Sequence, residues 1–201
     1  MNAPGAYPPP LLLASTSPYR ARLLQRLRLT FDTCAPAVDE EAEPATEPGD
    51  RARRLASLKA RAVARQHPEH WVIGSDQVAS CVGRILSKPG SAEQQKAQLQ
   101  WLSGKTAEFH TAVALVYPDG GRRRERQRLV RTRVRFRPLD SDAINRYVDA
   151  EPAADCCGGF KCEGLGITLF KAVQSPDPTA LEGLPLIATA TLLRQAGLLL
   201  P

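Results

Sequence analysis

Three consecutive hydroxyl residues, Ser15-Thr16-Ser17, separate the apolar run Leu11-Leu12-Leu13-Ala14 from Pro18, and Arg20 follows two positions later. A strand that ends in such a turn and opens a helix offers free backbone N–H groups, the positive end of a helix dipole, hydroxyl donors and a guanidinium fork. Together these suit a phosphate chain. The same residues would also serve a plain capped helix with a surface arginine, Ser17 as the cap and Pro18 in the first helical position. No GxxxxGK[ST] pattern is present, so the turn is not a P-loop. Asp76 comes directly after the apolar run Trp71-Val72-Ile73-Gly74, and open α/β sheets place ligand-facing groups at strand carboxyl ends. A carboxylate there could hold Mg²⁺ or take a proton from an attacking water; as a turn residue it would do neither. Lys59, Lys88 and Lys161 lie in separate segments at or beside element ends. With Arg20 they would balance a triphosphate, although each taken singly reads as a solvated lysine. His67, His70 and His110 show no HExxH or other ligand spacing, and nothing beside Cys156-Cys157 points to a thiol nucleophile.

The elements that must carry these residues are readable from periodicity and punctuation. Leu11 to Ala14 is a short buried strand, and the helix opened at Ser17 has Leu23, Leu24 and Leu27 on its apolar face. Phe31 to Ala35 reads as the next strand. An acidic loop, Asp39 to Gly49, precedes a helix from Arg51 to Arg65 with Leu55, Leu58 and Ala62 on one side. Trp71 to Gly74 is a buried strand running into Ser75-Asp76-Gln77, and Ile85-Leu86 forms a hairpin arm ending at Ser87-Lys88-Pro89. Ser91 and Gln94 make a capping box for a helix closed by Gly104. Thr106 to Tyr117 is a long strand, reversed by Pro118-Asp119-Gly120-Gly121 into an arginine-rich strand. A helix starting at Asp140 or Ser141 and running through Tyr147, a glycine-rich loop from Gly158 to Gly166, a strand from Ile167 to Phe170 and a helix from Pro185 to Gln195 complete the chain. Hairpins and crossovers together predict an α/β fold with a mixed sheet flanked by helices.

Composition narrows the class. The 201 residues can bury a sizeable core, and no repeat divides them. The opening MNAPGAYPPP has four prolines and lacks the basic and apolar regions of a signal peptide. Residues 1–10 therefore read as a flexible lead-in and 11–201 as a single domain. No apolar run approaches the roughly 18 residues of a membrane span. The five cysteines are an odd set without a CxxC pair, which favours a reducing cytoplasm over a disulfide framework or a thiolate zinc site. The net charge of +6 is one patch: residues 122–137 hold nine arginines against Glu125, more positive charge than the whole chain carries. Val130, Thr132, Val134 and Phe136 alternate with arginines there, the period of a strand with one buried and one solvated face. An exposed arginine face is the simpler reading, and polyanion binding the rival one.

Taken together, several segments resemble the Maf family of nucleoside triphosphate pyrophosphatases. LASTSPYRARLL is similar to its opening phosphate loop, APAVDE to its acidic turn, RLASLKA to its lysine helix, IGSDQV to its catalytic strand end, SKPG to its second lysine and GGFKCEGLGITLF to its late glycine-rich loop. The likeness runs from about Leu11 to Arg194. Within the family the chain looks most like the YceF-type branch. SDQV stands in place of the ADT-type tetrapeptide of the branch acting on thymidine and uridine triphosphates, and KCEGLGIT carries a glutamate where that branch has glutamine.

The resemblance implies a two-lobed sheet with a nucleotide-binding cleft, Maf/ITPase-like, and hydrolysis of 7-methyl-GTP between its α- and β-phosphates. It makes Asp76 the proton acceptor, and Ser15, Ser17, Arg20, Lys59, Lys88 and Lys161 the triphosphate contacts. Glu40 becomes a metal-linked carboxylate with Asp76, Mg²⁺ or Mn²⁺ the implied cofactor and a homodimer the implied assembly. Tyr19, Gln77 and Glu163 fall at the positions of base selection. Tyr19 is a departure, since close relatives usually have tryptophan there and the other branch arginine; this bears on fine specificity. Methylation at N7 makes guanine cationic, so Glu163 would offset charge, Tyr19 would stack and Gln77 would both donate and accept. The rival readings are a pyrophosphatase for pyrimidine or other modified nucleotides, and a polyanion-binding or division-regulating interaction protein using the arginine strand.

Overall fold

The computed structural model describes residues 10–43 and 47–201. The expected lead-in lies outside the described residues except for Pro10, whose carbonyl accepts a hydrogen bond from Trp71 N at 2.9 Å. Among the described residues seven strands form one mixed sheet: β1 Leu11–Ala14, β2 Asp32–Cys34, β3 Trp71–Cys81, β4 Arg84–Leu86, β5 Thr106–Asp119, β6 Arg122–Phe136 and β7 Phe170–Gln174, in the order β2-β1-β3-β5-β6-β7 with β4 also paired to β3. β1 is parallel to β2 and β3, and the remaining pairs are antiparallel. This is the mixed α/β architecture that hairpins and crossovers require.

Helix α1, Pro18–Gln25, is capped by Ser17, whose side chain accepts from Arg20 N. Helix α2, Pro48–Gln66, covers one sheet face with Ala52, Ala56, Ala60 and Ala64, small residues that bring its backbone close to the strands. Gly74 of β3 is the matching concession: a Cβ there would collide with the Ala56 carbonyl and lie 2.7 Å from Ala60 N. The other face of the same strands packs against α1 and α5, Leu186–Ala196, through Leu23, Leu24, Leu192 and Leu193.

A separate core lies at the far ends of β3, β5 and β6, where α3, Ala92–Leu102, and α4, Ser141–Ala150, pack beside Phe109, Phe136 and Phe160. The long strands thus run through two lobes. Between them, β1 pairs with β3 only as far as Gly74, and β4 resumes the pairing at Ala79. Ser75 to Val78 consequently have β5 on one side and no strand on the other among the described residues. That gap is the floor of a cleft.

Several boundaries differ from expectation. β3 does not end before Asp76: pairing with β5 extends it to Cys81, so Asp76 lies inside the strand. α2 begins at Pro48, three residues early, because proline suits a helix's first positions. β2 contracts to Asp32–Cys34, and α4 runs on to Ala150 with Asp140 as its cap. The expected strand Ile167 to Phe170 is a 3-10 turn over Leu165–Leu169; the strand starts at Phe170. There Gly166 sits so close that a Cβ would collide with the Lys161 carbonyl, which holds the chain in a turn.

Candidate active site

A cavity of about 620 Å³ opens at the gap between β1 and β4. Asp76 projects from β3 on the same face as Gly74, toward α2, and its Oδ1 accepts from Lys59 Nζ at 2.6 Å. Lys59 Nζ also lies 2.8 Å from Glu40 Oε1. Both members of the first pair are almost wholly buried, while the Glu40 side chain is 54% exposed. Against the desolvation that would raise it, Lys59, with Arg20 and Lys88 behind it, holds the Glu40 carboxyl below its ordinary range. Oδ2 of Asp76 has no hydrogen-bond partner among the described residues. Two carboxylate oxygens thus converge on the Lys59 ammonium, one from β3 and one from the loop before α2. Mg²⁺ is commonly held by one or two carboxylates with waters and substrate phosphates, so Asp76 and Glu40 fit such an ion as a donor set.

The loop after β1 supplies the next wall. Ser15 Oγ accepts from Ser17 N at 3.1 Å and from Arg20 Nη1 at 3.4 Å. Arg20 Nε donates to Gly183 O at 3.0 Å, and the Ser75 hydroxyl lies within reach of both that carbonyl, at 2.9 Å, and Ala112 O, at 2.8 Å. Burial lowers the Arg20 pKa, with Asp76 and Glu40 opposing it; a guanidinium so placed remains charged. Arg20, Lys59 and Lys88 all act on Glu40, which gathers three cations at one end of the cavity.

The opposite end is different in kind. Ser75 and Gln77 point to the face away from Asp76, because successive strand residues alternate. Gln77 Nε2 donates to Thr111 Oγ1 and Ala180 O, both at 3.0 Å, and lies 3.2 Å from Leu181 O. The Thr111 hydroxyl itself donates to Ala180 O, so it can only accept from Gln77 and the amide orientation is dictated. Gln77 therefore offers a ligand its carbonyl oxygen alone, correcting the expectation that it would both donate and accept. Arg22 lies over one face of the Tyr19 ring, its Cζ 5.3 Å from the centroid.

Lys161 does not join the Arg20 and Lys59 cluster. Its Nζ donates to Pro152 O at 2.8 Å, and against desolvation the Tyr19, Cys156 and Asp155 side chains raise its pKa. The loop that carries it is pinned by Tyr147, whose hydroxyl accepts from Lys161 N and donates to Glu151 Oε2, each at 3.1 Å. Glu163 follows in the same loop, exposed and lining the cavity. Burial and Asp155 push the Cys156 thiol up to about 11, so it is a poor nucleophile at neutral pH.

Ser15, Ser17, Tyr19, Arg20, Glu40, Lys59, Asp76, Gln77, Lys88, Lys161 and Glu163 thus all line one cavity. The sequence over residues 10–196 matches the family described as Maf-like protein. The chain belongs to the Maf family. Among its Maf relatives, it is 59% identical over 193 residues to a protein of Xanthomonas campestris pv. campestris named 7-methyl-GTP pyrophosphatase, covering 96% of this chain and 99% of the other. It is 53% identical over 191 residues to one of Aromatoleum aromaticum with the same name, covering 95% and 97%. Among solved structures, the Staphylococcus aureus Ham1 protein superposes with a TM-score of 0.39 at 16% identity, over 62% of this chain and 71% of that one.

Among the cavity residues of this Maf chain that stand outside every motif considered in the sequence are Arg51 and Glu182. Arg51 is on α2, eight residues before Lys59; helical periodicity puts both on one face, a signal the sequence already contained. Glu182 comes from the 3-10 turn Ala180–Glu182, whose neighbours' carbonyls bind Gln77 and Arg20. Burial and Glu163 raise the Glu182 carboxyl, while Arg26 and Arg22 pull it back. No local signal marks that position.

Proposed function

We propose that this protein hydrolyses the α-β phosphoanhydride bond of 7-methyl-GTP to 7-methyl-GMP and pyrophosphate. The observation that carries this reading is the polarity of the cavity. One end gathers Arg20, Lys59 and Lys88 with Glu40 beside the Ser15 and Ser17 turn; the other combines the Tyr19 ring with Lys161 beside it, an acceptor-only Gln77 and the carboxylates of Glu163 and Glu182. Triphosphate charge matches the first end. A purine made cationic by N7 methylation, with N–H donors on its Watson–Crick edge, matches the second. The names of the relatives above support the same substrate.

Asp76 lies inside β3, paired with Lys59 at the cationic end. Lys59 fixes its Oδ1, and Oδ2 accepts a proton from the water whose oxygen bonds to phosphorus as the bridging P–O bond breaks and pyrophosphate departs. Arg20 and Lys88 offset charge on the phosphate oxygens, and Ser15 and Ser17 position the chain. A bound Mg²⁺ or Mn²⁺ on Asp76 and Glu40 would supply further charge neutralisation. A homodimer and a cytoplasmic location belong to the same proposal; no described helix is long and apolar enough to cross a membrane.

The test is pyrophosphate release by the purified protein with Mg²⁺ or Mn²⁺ across 7-methyl-GTP, GTP, dTTP, UTP and CTP, with Asp76→Asn alongside. The expected result is a preference for 7-methyl-GTP and a loss of about 10²- to 10⁴-fold in the variant. Preference for a pyrimidine triphosphate would overturn the substrate, and an active Asp76→Asn enzyme would overturn the base.

A further inference from the structure

α2 places Arg51, Leu55 and Lys59 four residues apart on one helix face, and all three line the cavity. Lys59 is already committed to Asp76 and Glu40. Arg51 is not: Nη2 makes one long contact, 3.4 Å to the Glu40 carbonyl, and its Nε is buried without a hydrogen-bond partner among the described residues. None of the described carboxylates forms an ion pair with it. Buried guanidinium N–H groups in native proteins are met by an acceptor from protein, water or ligand, because leaving one unmet is unfavourable.

We propose that Arg51 is a further phosphate-binding residue, gripping the part of the polyphosphate chain that lies against α2 beside Lys59 and Glu40. The guanidinium fork presents parallel N–H groups to phosphate oxygens, which a lone ammonium cannot. The leaving pyrophosphate is then held from α2 as well as from the loop containing Arg20. This inference rests on the cavity being a triphosphate site, and is independent of which base is bound.

The experiment uses the full chain and the Arg51→Met and Arg51→Lys variants. Binding of inorganic tripolyphosphate is measured by calorimetry, and kcat and KM are measured for 7-methyl-GTP and GTP. Arg51→Met should weaken tripolyphosphate binding and raise KM for both nucleotides about tenfold, with kcat changed less than about threefold. The ratio between the two bases should stay constant, and Arg51→Lys should recover part of the loss. Arg51 makes a single long bond, so both variants should melt within a few degrees of the parent. Unchanged tripolyphosphate binding and KM in Arg51→Met would overturn the proposal. So would a fall in kcat at constant KM, which would make Arg51 an anchor for the Glu40 segment. If the parent enzyme released pyrophosphate from no triphosphate, the functional reading would fall, while the tripolyphosphate arm would still decide the Arg51 site.

Discussion

Lys59 and Asp76 form a buried ion pair, Nζ to Oδ1 at 2.6 Å, that ties the middle of α2 to the middle of β3. Breaking such a pair by removing one member leaves an uncompensated charge and costs about 3 kcal/mol. Lys59→Met should lose roughly that much stability together with its activity. Asp76→Asn, which keeps an acceptor for the lysine, should lose activity while unfolding near the parent's urea midpoint. The double variant should regain much of the stability lost in Lys59→Met. If the two single changes proved additive, the pair would not be coupled.

Gly74 allows α2 to approach β3 as closely as that ion pair requires. Gly74→Ala sets a methyl group against the Ala56 carbonyl and Ala60 N, backbone atoms that cannot yield without moving the helix. Overpacking of this kind costs about 1–3 kcal/mol, and the displaced helix carries Lys59 with it. Thermal melting should show the loss of stability, and residual folded enzyme should turn over more slowly. A fully active, equally stable Gly74→Ala protein would mean that α2 has room to spare.

His110 lies on β5, mostly buried, with Glu108 and Arg131 beside it. Burial chiefly, and Arg131 in addition, lower its pKa, against the pull of Glu108 and Glu47. In the unfolded chain the imidazole takes up its proton near pH 6.5, whereas in the folded chain it does so only lower. Its contribution to stability is therefore complete above about pH 6.5 and declines as pH falls toward the folded value. Denaturant titrations between pH 7.5 and 5 should slope downward toward acid in the parent, and less so in His110→Gln. Parallel slopes would assign that acid sensitivity to other groups.

Arg131 and Arg133 face Glu108 at 3.9 and 3.5 Å, with side chains 60% and 52% exposed. Exposed pairs of this kind contribute about 0–1 kcal/mol. Replacing Arg131, Arg133 and Arg135 together by glutamine should change stability by less than about 1 kcal/mol and leave pyrophosphate release as it is. A loss of turnover in that triple variant would show that the strand does more than present a solvated face. Salt-dependent nucleic-acid binding that vanished with these arginines would support the polyanion reading.

Local patterns carried much of the fold. The cap at Ser17, the turn at Gly120-Gly121 and the alternation from Val130 to Phe136 are decided by neighbours in the chain, and each is where the sequence placed it. Element ends were harder to read, because they depend on partners distant in sequence. β3 continues through Asp76 since β5 pairs with it, which no feature of Trp71 to Gly74 could signal.

The same division holds at the site. The sequence by itself determined the inventory: a hydroxyl-rich turn before a capped helix, separated lysines, one carboxylate after an apolar run, and a late glycine-rich loop whose order matches the Maf family. Residue type and spacing suffice there, because hydrogen-bonding capacity and charge belong to the side chains themselves. Only tertiary structure decided how those side chains are used. Gly183 lies 163 residues from Arg20, yet its carbonyl orients that guanidinium. Thr111 and Ala180, the latter over a hundred residues from Gln77, occupy its amide hydrogens and leave it an acceptor. Lys161 turns to Pro152 and Tyr19, while Arg51 enters the cavity with a buried N–H unmet among the described residues. Hydrogen bonds act over about 3 Å and depend on direction, so a group's partner is fixed only when distant segments of the chain are packed against one another.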